Sequence, residues 1–192
     1  MADMKLIKEI PVLLRAAARL ENENWSFRDY FKFRLGMSND DLDKMVHETS
    51  EAVWKRIDCK VCGHCCRTLQ IAVDLADITR LAKSLGISVA EFRSQYVQRE
   101  GSREEYFASV PCPFLEGSVC TVYEDRPKSC RDFPYLQEPH FRTRSISFIQ
   151  NCSVCPIVFN TSEQLKVDTG FRKPTAQTPK HLNKRGPHRG KG

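Results

Sequence analysis

No run in this 192-residue chain approaches the ~18 consecutive apolar residues that a membrane-spanning helix needs, so no membrane association is expected. Cysteine is missing before residue 59 and after residue 155, which confines thiol chemistry to the middle of the chain. Proline is nearly missing from the first half: Pro11 alone precedes residue 111, and the other nine follow. No phosphate-cradling glycine loop, Ser/His/Asp set or paired-carboxylate motif stands out, which leaves hydrolase and kinase chemistry without support. A hydrophobic content of 41% excludes a wholly disordered chain. A chain of roughly 150 residues already hides about two-thirds of its unfolded surface, so disulfide staples are not needed for folding.

Acidic residues are missing from 171–192, and the formal charge of +6 belongs to that end. Arg172, Lys173, Lys180, Lys184, Arg185, Arg189 and Lys191 lie there, leaving 23 Lys+Arg against 24 Asp+Glu in the other 170 residues. With almost no apolar side chain beyond Phe171, this tail is expected to be disordered. Weak, non-specific, salt-sensitive contact with nucleic acid is the partner role that such a tail supports. An unknown protein partner is the other expectation.

Against these absences stand nine cysteines, all between Cys59 and Cys155. The amino-terminal residues carry only a short apolar stretch, Ile10 to Leu14, between Lys8, Glu9 and Arg15. That does not read as a secretory signal, so a cytoplasmic location with reduced thiols is expected. An odd count also cannot pair completely into disulfides. Metal is the better reading.

The fold class expected is a small, irregular α+β arrangement: a helical segment over 1–57, a loop-rich cysteine-cluster domain over 58–170 held by a metal centre, and the basic tail over 171–192. Ser38 reads as an N-cap, opening a helix that runs through Leu42, Met45, Val46, Val53, Trp54 and Ile57 and delivers the chain to Cys59. Upstream, Trp25, Phe27, Tyr30, Phe31, Phe33 and Leu35 read as core packing. Leu69, Ile71 and Val73 alternate as a strand; Leu75 to Leu85 spaces as a helix stopped by Gly86; Ser88 to Glu91 reads as a capping box opening another helix. From residue 111 the prolines suggest loops, with short strands around Phe114–Tyr123 and Arg144–Ile149 and one helix near Pro156–Val167.

The first cluster is Cys59-x-x-Cys62-Gly63-His64-Cys65-Cys66. Two thiolates two residues apart can fold over one metal, and Gly63 permits the turn. Cys59, Cys62 and Cys65 match the first three ligands of a ferredoxin-like run, whose fourth Cys, followed by Pro, is missing locally. Remote candidates are Cys112-Pro113 and Cys155-Pro156. Cys66, next to Cys65, points to a second site or a spare thiol. The full candidate ligand set is Cys59, Cys62, Cys65, Cys66, Cys112, Cys120, Cys130, Cys152 and Cys155: two sets of four with one left over, or one set with five spare. His64 could also ligate. Cys112 and Cys120 could flank a hairpin around Glu116-Gly117-Ser118.

The stretches CKVCGHCCR, LQIAVDLADITRLAKSLGIS, PCPFL, CTVYEDRP and CRDFP, in that order, resemble the zinc- or iron-chelating domain family, the YkgJ-like cysteine-cluster proteins. The resemblance covers about residues 57–157 and implies a bound metal centre, an iron–sulfur cluster or zinc. The family is related to flagellin lysine N-methylase, whose kind is considerably longer. No glycine-rich S-adenosylmethionine site is evident, so methylase activity is not carried over.

All-thiolate ligation suits zinc and iron–sulfur alike. The C-x2-C-x2-C spacing and the Cys-Pro steps favour a [4Fe–4S] cluster, with Zn2+ as the alternative. Arg67, Arg126 and Arg131, each near a Cys, could offset thiolate charge, and Tyr123, Arg126 and Phe133 read as packing that shapes the ligand loops. Two functions follow: a cysteine-ligated iron–sulfur protein with a redox or methyl-transfer-related role, or a structural zinc module for protein or nucleic-acid interaction. No catalytic residue is assigned.

Overall fold

The computed structural model describes residues 5–101 and 104–173. Most of the basic tail, 174–192, lies outside the described residues. Among those described, no helix is long and apolar enough to cross a membrane. The fold is mixed, mainly helical with two small antiparallel sheets, in keeping with a small irregular α+β class.

Two hydrophobic cores organise it. The first gathers four helices: α1 (Ile10–Phe33), α2 (Asn39–Trp54), α7 (Ser145–Asn151) and α8 (Pro156–Asp168). Pro11 lies in the first turn of α1, where a missing N–H costs no helical bond. Ser38 caps α2 by accepting from the Asp41 N–H, and Asp40 and Asp41 meet the positive end of the helix dipole. Leu42, Val46 and Val53 of α2 are buried, as are Phe27 and Phe31 of the aromatic stretch, while Phe33 is exposed. Asn160 of α8 is buried and completely used: its amide accepts from the Ile7 N–H and donates to the Ile7 and Pro156 carbonyls. That ties the residues ahead of α1 to the far end of the chain. Phe171 closes the same layer against Phe27 and Tyr30.

Two sequence expectations are corrected here. Arg144–Ile149 is helical, not a strand: a 3-10 turn at Phe141–Arg144 runs into α7. Phe141, Ser145, Phe148, Ile149 and Cys152 are the buried positions, at helical spacing. Asp43 secures the turn by accepting from the His140 and Phe141 N–H groups. The proline-rich half is also less loop-like than expected, because Leu136 through Leu165, much of it helical, supply much of the first core.

The second core lies under α4 (Leu75–Leu85) and α5 (Val89–Tyr96), packed on a sheet of β1 (Ala72–Val73), β2 (Val97–Glu100) and β3 (Glu104–Phe107) in the order β1-β3-β2. Gly86 stops α4 in the left-handed region, as its place in the sequence indicated. The reciprocal capping box belongs to Asp74 and Asp77, and Ser88 caps α5 by accepting from the Glu91 N–H. The β2–β3 pair was not expected, because its polar residues lack apolar alternation; Glu105 of β3 instead pairs with Arg93 and Arg99. At the centre Phe114 stacks on Phe92 and meets Phe107 edge to face.

Asp77 is the link from this layer to the cysteine loops. Buried in the first turn of α4, it accepts from Arg80 at 2.6 Å and from the Lys128 N–H at 3.0 Å. Arg80 in turn donates to the carbonyls of Asp125 and Arg126. Asp77→Ala should destabilise the protein by about 1.5–3 kcal/mol, the range for hydrogen bonds to charged groups. Denaturant unfolding measures it, and unchanged stability would mean that the clamp holds nothing.

Candidate metal centre

The ligand segments converge between the two cores. Beyond α2 the buried Ile57 anchors the chain, and the Cys62 N–H turns back to the Cys59 carbonyl at 3.3 Å. Gly63 then takes φ +59°, and a Cβ there would lie 3.1 Å from both an Arg67 nitrogen and the Ser118 carbonyl. The short helix α3 (His64–Thr68) follows and carries Cys65 and Cys66. Arg67 donates to the Cys62 carbonyl, the Gly117 carbonyl and the Ser118 hydroxyl, which fastens the first cluster to a hairpin. That hairpin, β4 (Leu115–Glu116) with β5 (Val119–Cys120), is the expected one and sets Leu115 opposite Cys120. The Cys112 N–H bonds the Cys66 carbonyl at 2.8 Å. Cys130 lies on α6 (Lys128–Asp132), held by Asp77 and by the Ser129 hydroxyl on the Ala72 carbonyl. Cys155 is the N-cap residue of α8.

Eight of the nine candidate cysteines line one cavity of about 320 Å³: Cys59, Cys62, Cys65, Cys66, Cys112, Cys120, Cys130 and Cys155. Cys152 does not. It is buried in the first core with its thiol toward the Phe148 carbonyl. Trp54, Ile57, Phe107, Phe114 and Phe133 supply apolar wall. Among the described residues, no three Cys, His, Asp or Glu side chains converge closely enough to grip an ion as placed. Ligation therefore requires the thiols to draw closer together than they are placed.

The electrostatics is that of crowded thiols. Burial pushes Cys112 up to about 11, and Cys130 and Cys155 up to about 12. Neighbouring thiols add to each by repelling a new charge. The Cys65 and Cys66 sulfurs lie 3.9 Å apart; their hydrogen bond holds Cys65 protonated and pulls Cys66 down to about 7. Backbone N–H groups oppose the burial: Phe114 at Cys112, Val122 at Cys120, and Ile157 and Val158 at Cys155.

Cations surround the set. Two cations lie over the Tyr123 ring, Lys60 at 4.6 Å from its centroid and the Arg126 guanidinium at 3.9 Å. Arg131 donates to the Arg126 carbonyl. The cavity wall contains no Asp, Glu or His among the described residues, so thiols are its only strongly metal-binding side chains, and His64 is not part of it. A thiolate set ringed by Lys and Arg fits a soft metal, zinc or iron–sulfur, and not a hard, oxygen-seeking cation. Sequence reasoning missed Lys60, Asp77 and Arg80. The only signal was an acidic residue and an arginine three positions apart on an amphipathic helix.

Two substitutions test the arrangement. Cys152→Ala should leave metal per chain unchanged and cost about 1 kcal/mol, comparable to losing one buried methylene; metal loss would place it in the ligand set. Gly63→Ala should lower metal content at least severalfold, since the position needs a left-handed backbone and has no room for a Cβ. Elemental analysis of the purified chain reads both.

Comparison with known proteins agrees with this chemistry. Residues 58–156 match CxxCxxCC, described as a putative zinc- or iron-chelating domain. No solved structure matches the chain. The match spans more than half of the sequence, and the chain belongs to this family of cysteine-rich, metal-chelating domains.

Proposed function

We propose that the protein carries a [4Fe–4S] cluster on Cys59, Cys62, Cys65 and Cys155 and serves a redox role. The observation behind this reading is the position of Cys155. A ferredoxin-like run needs a fourth Cys followed by Pro, and Cys155-Pro156 reaches the cavity beside the C-x2-C-x2-C turn. Cys155 feels the charges of Cys62 and Cys59, and Cys65 feels that of Cys155. Bound there, the cluster would supply one-electron transfer.

The chain's own residues suit that task. The start of α8 presents the Ile157 and Val158 N–H groups to the Cys155 sulfur, favouring its thiolate. Trp54, Ile57 and Phe133 keep water from that side of the cavity, while Cys59 is exposed and opens the set to a partner at the surface. Arg126 lies near Cys59 and offsets its charge. Zinc on the same four thiols is the competing reading, and the exposed Cys59 with its cationic surround favours an electron-transfer face over a sealed structural ion.

Anaerobically purified protein should be brown, contain iron and acid-labile sulfide in equal amounts, and lose visible absorption on addition of dithionite. Cys155→Ser should remove most of that iron and sulfide. Colourless protein with zinc in these thiols and no sulfide would overturn the reading.

A further inference from the structure

Eight cysteines line the cavity, and a four-thiolate cluster uses half of them. The other four are not scattered. Cys112, Cys120 and Cys130 all pack against the second core, whereas Cys155 belongs to the first. Cys66 is joined to the former group by main chain, through the Cys112 N–H on its carbonyl at 2.8 Å. Cys65 and Cys66 are successive residues on α3, so their side chains leave the helix about 100° apart. One can turn to each group.

We propose that Cys66, Cys112, Cys120 and Cys130 form a second, separate centre, a closed tetrahedral zinc site, beside the one that contains Cys59, Cys62, Cys65 and Cys155. The proposal rests on the reading that the cavity holds metal. Cys65 and Cys66 meet at the seam between the two groups, their sulfurs 3.9 Å apart.

Zinc fits the second set for reasons of scaffold. The Cys120 strand pairs back onto Leu115, and the loop before Cys130 is clamped by Asp77 and Arg80. Both Cys112 and Cys120 are met by an N–H two residues on, from Phe114 and Val122. Four thiolates on such fixed main chain leave no open position, the mark of a structural zinc site. Each centre carries net negative charge; Arg67 stands beside Cys66, and Arg126 beside Cys120 and Cys59.

The test uses the full chain purified anaerobically, with zinc, iron and sulfide quantified per chain. The expected wild type holds one equivalent of zinc together with the iron and sulfide. Cys66→Ser and Cys130→Ser should each lose at least nine-tenths of the zinc and keep the iron and sulfide. Cys59→Ser and Cys155→Ser should do the reverse. Loss of all metal from folded members of both sets would show one joint centre and overturn the proposal. Should these variants not fold, wild-type protein is treated with ferricyanide and EDTA: iron and sulfide should leave with zinc retained, and parallel loss overturns the proposal. Two equivalents of zinc without sulfide, with each variant pair losing one, would overturn the iron–sulfur reading and support the two centres. Absence of all three elements overturns both.

Discussion

Thiols crowded round one cavity repel one another as soon as they ionise, and burial opposes ionisation further. Cys112, Cys130 and Cys155 are all pushed well above the ordinary thiol range for these two reasons. A bound cation reverses both effects at once, since it attracts each thiolate and screens it from the next. Ligand deprotonation and metal binding are therefore one event, and the free energy of that event is available to hold the loops together. The rest of the structure makes sense as a device for bringing these mutually repelling groups within reach of each other.

That device is a pair of independent hydrophobic cores with the thiols between them. Neither core uses the cavity-lining thiols as its main filling: the first is packed by α1, α2, α7 and α8, the second by α4, α5 and the small sheet. Polar clamps span the gap. Arg67 ties the first cysteine turn to the hairpin, and Asp77 with Arg80 ties α4 to the loop before Cys130. Asn160 performs a similar task far from the site, pinning the residues before α1 to α8 and so fixing the helix whose first residue follows Cys155. Cationic side chains then line the approach, with Lys60 and Arg126 both over the Tyr123 ring.

Local signals were legible where chemistry is local. The Ser38 cap, the Gly86 stop, the hairpin around Gly117 and the start of α8 at Pro156 all follow from residues within a few positions of one another. The signal failed at Arg144–Ile149, which is helical, and where a strand pair was stabilised by charge pairing instead of apolar alternation, at β2 and β3. Asp77 and Arg80 were invisible as a clamp because their partners lie about 45 to 50 residues away.

By itself the sequence determined the kind of chemistry: nine clustered cysteines in an odd number, with C-x2-C-x2-C spacing, call for metal. It also determined that a helix runs toward the first cluster. Only the tertiary structure decided which thiol stands apart. Cys152 and Cys155 are three residues apart and look equivalent as text, yet one points into the first core and the other lines the cavity. The reason is the turn between them, which leaves α7 after Asn151 and enters α8 at Pro156 with Cys155 in an extended backbone. A side chain's direction depends on the backbone it leaves, and that backbone was set by packing against α1 and α2, remote in sequence from either cysteine.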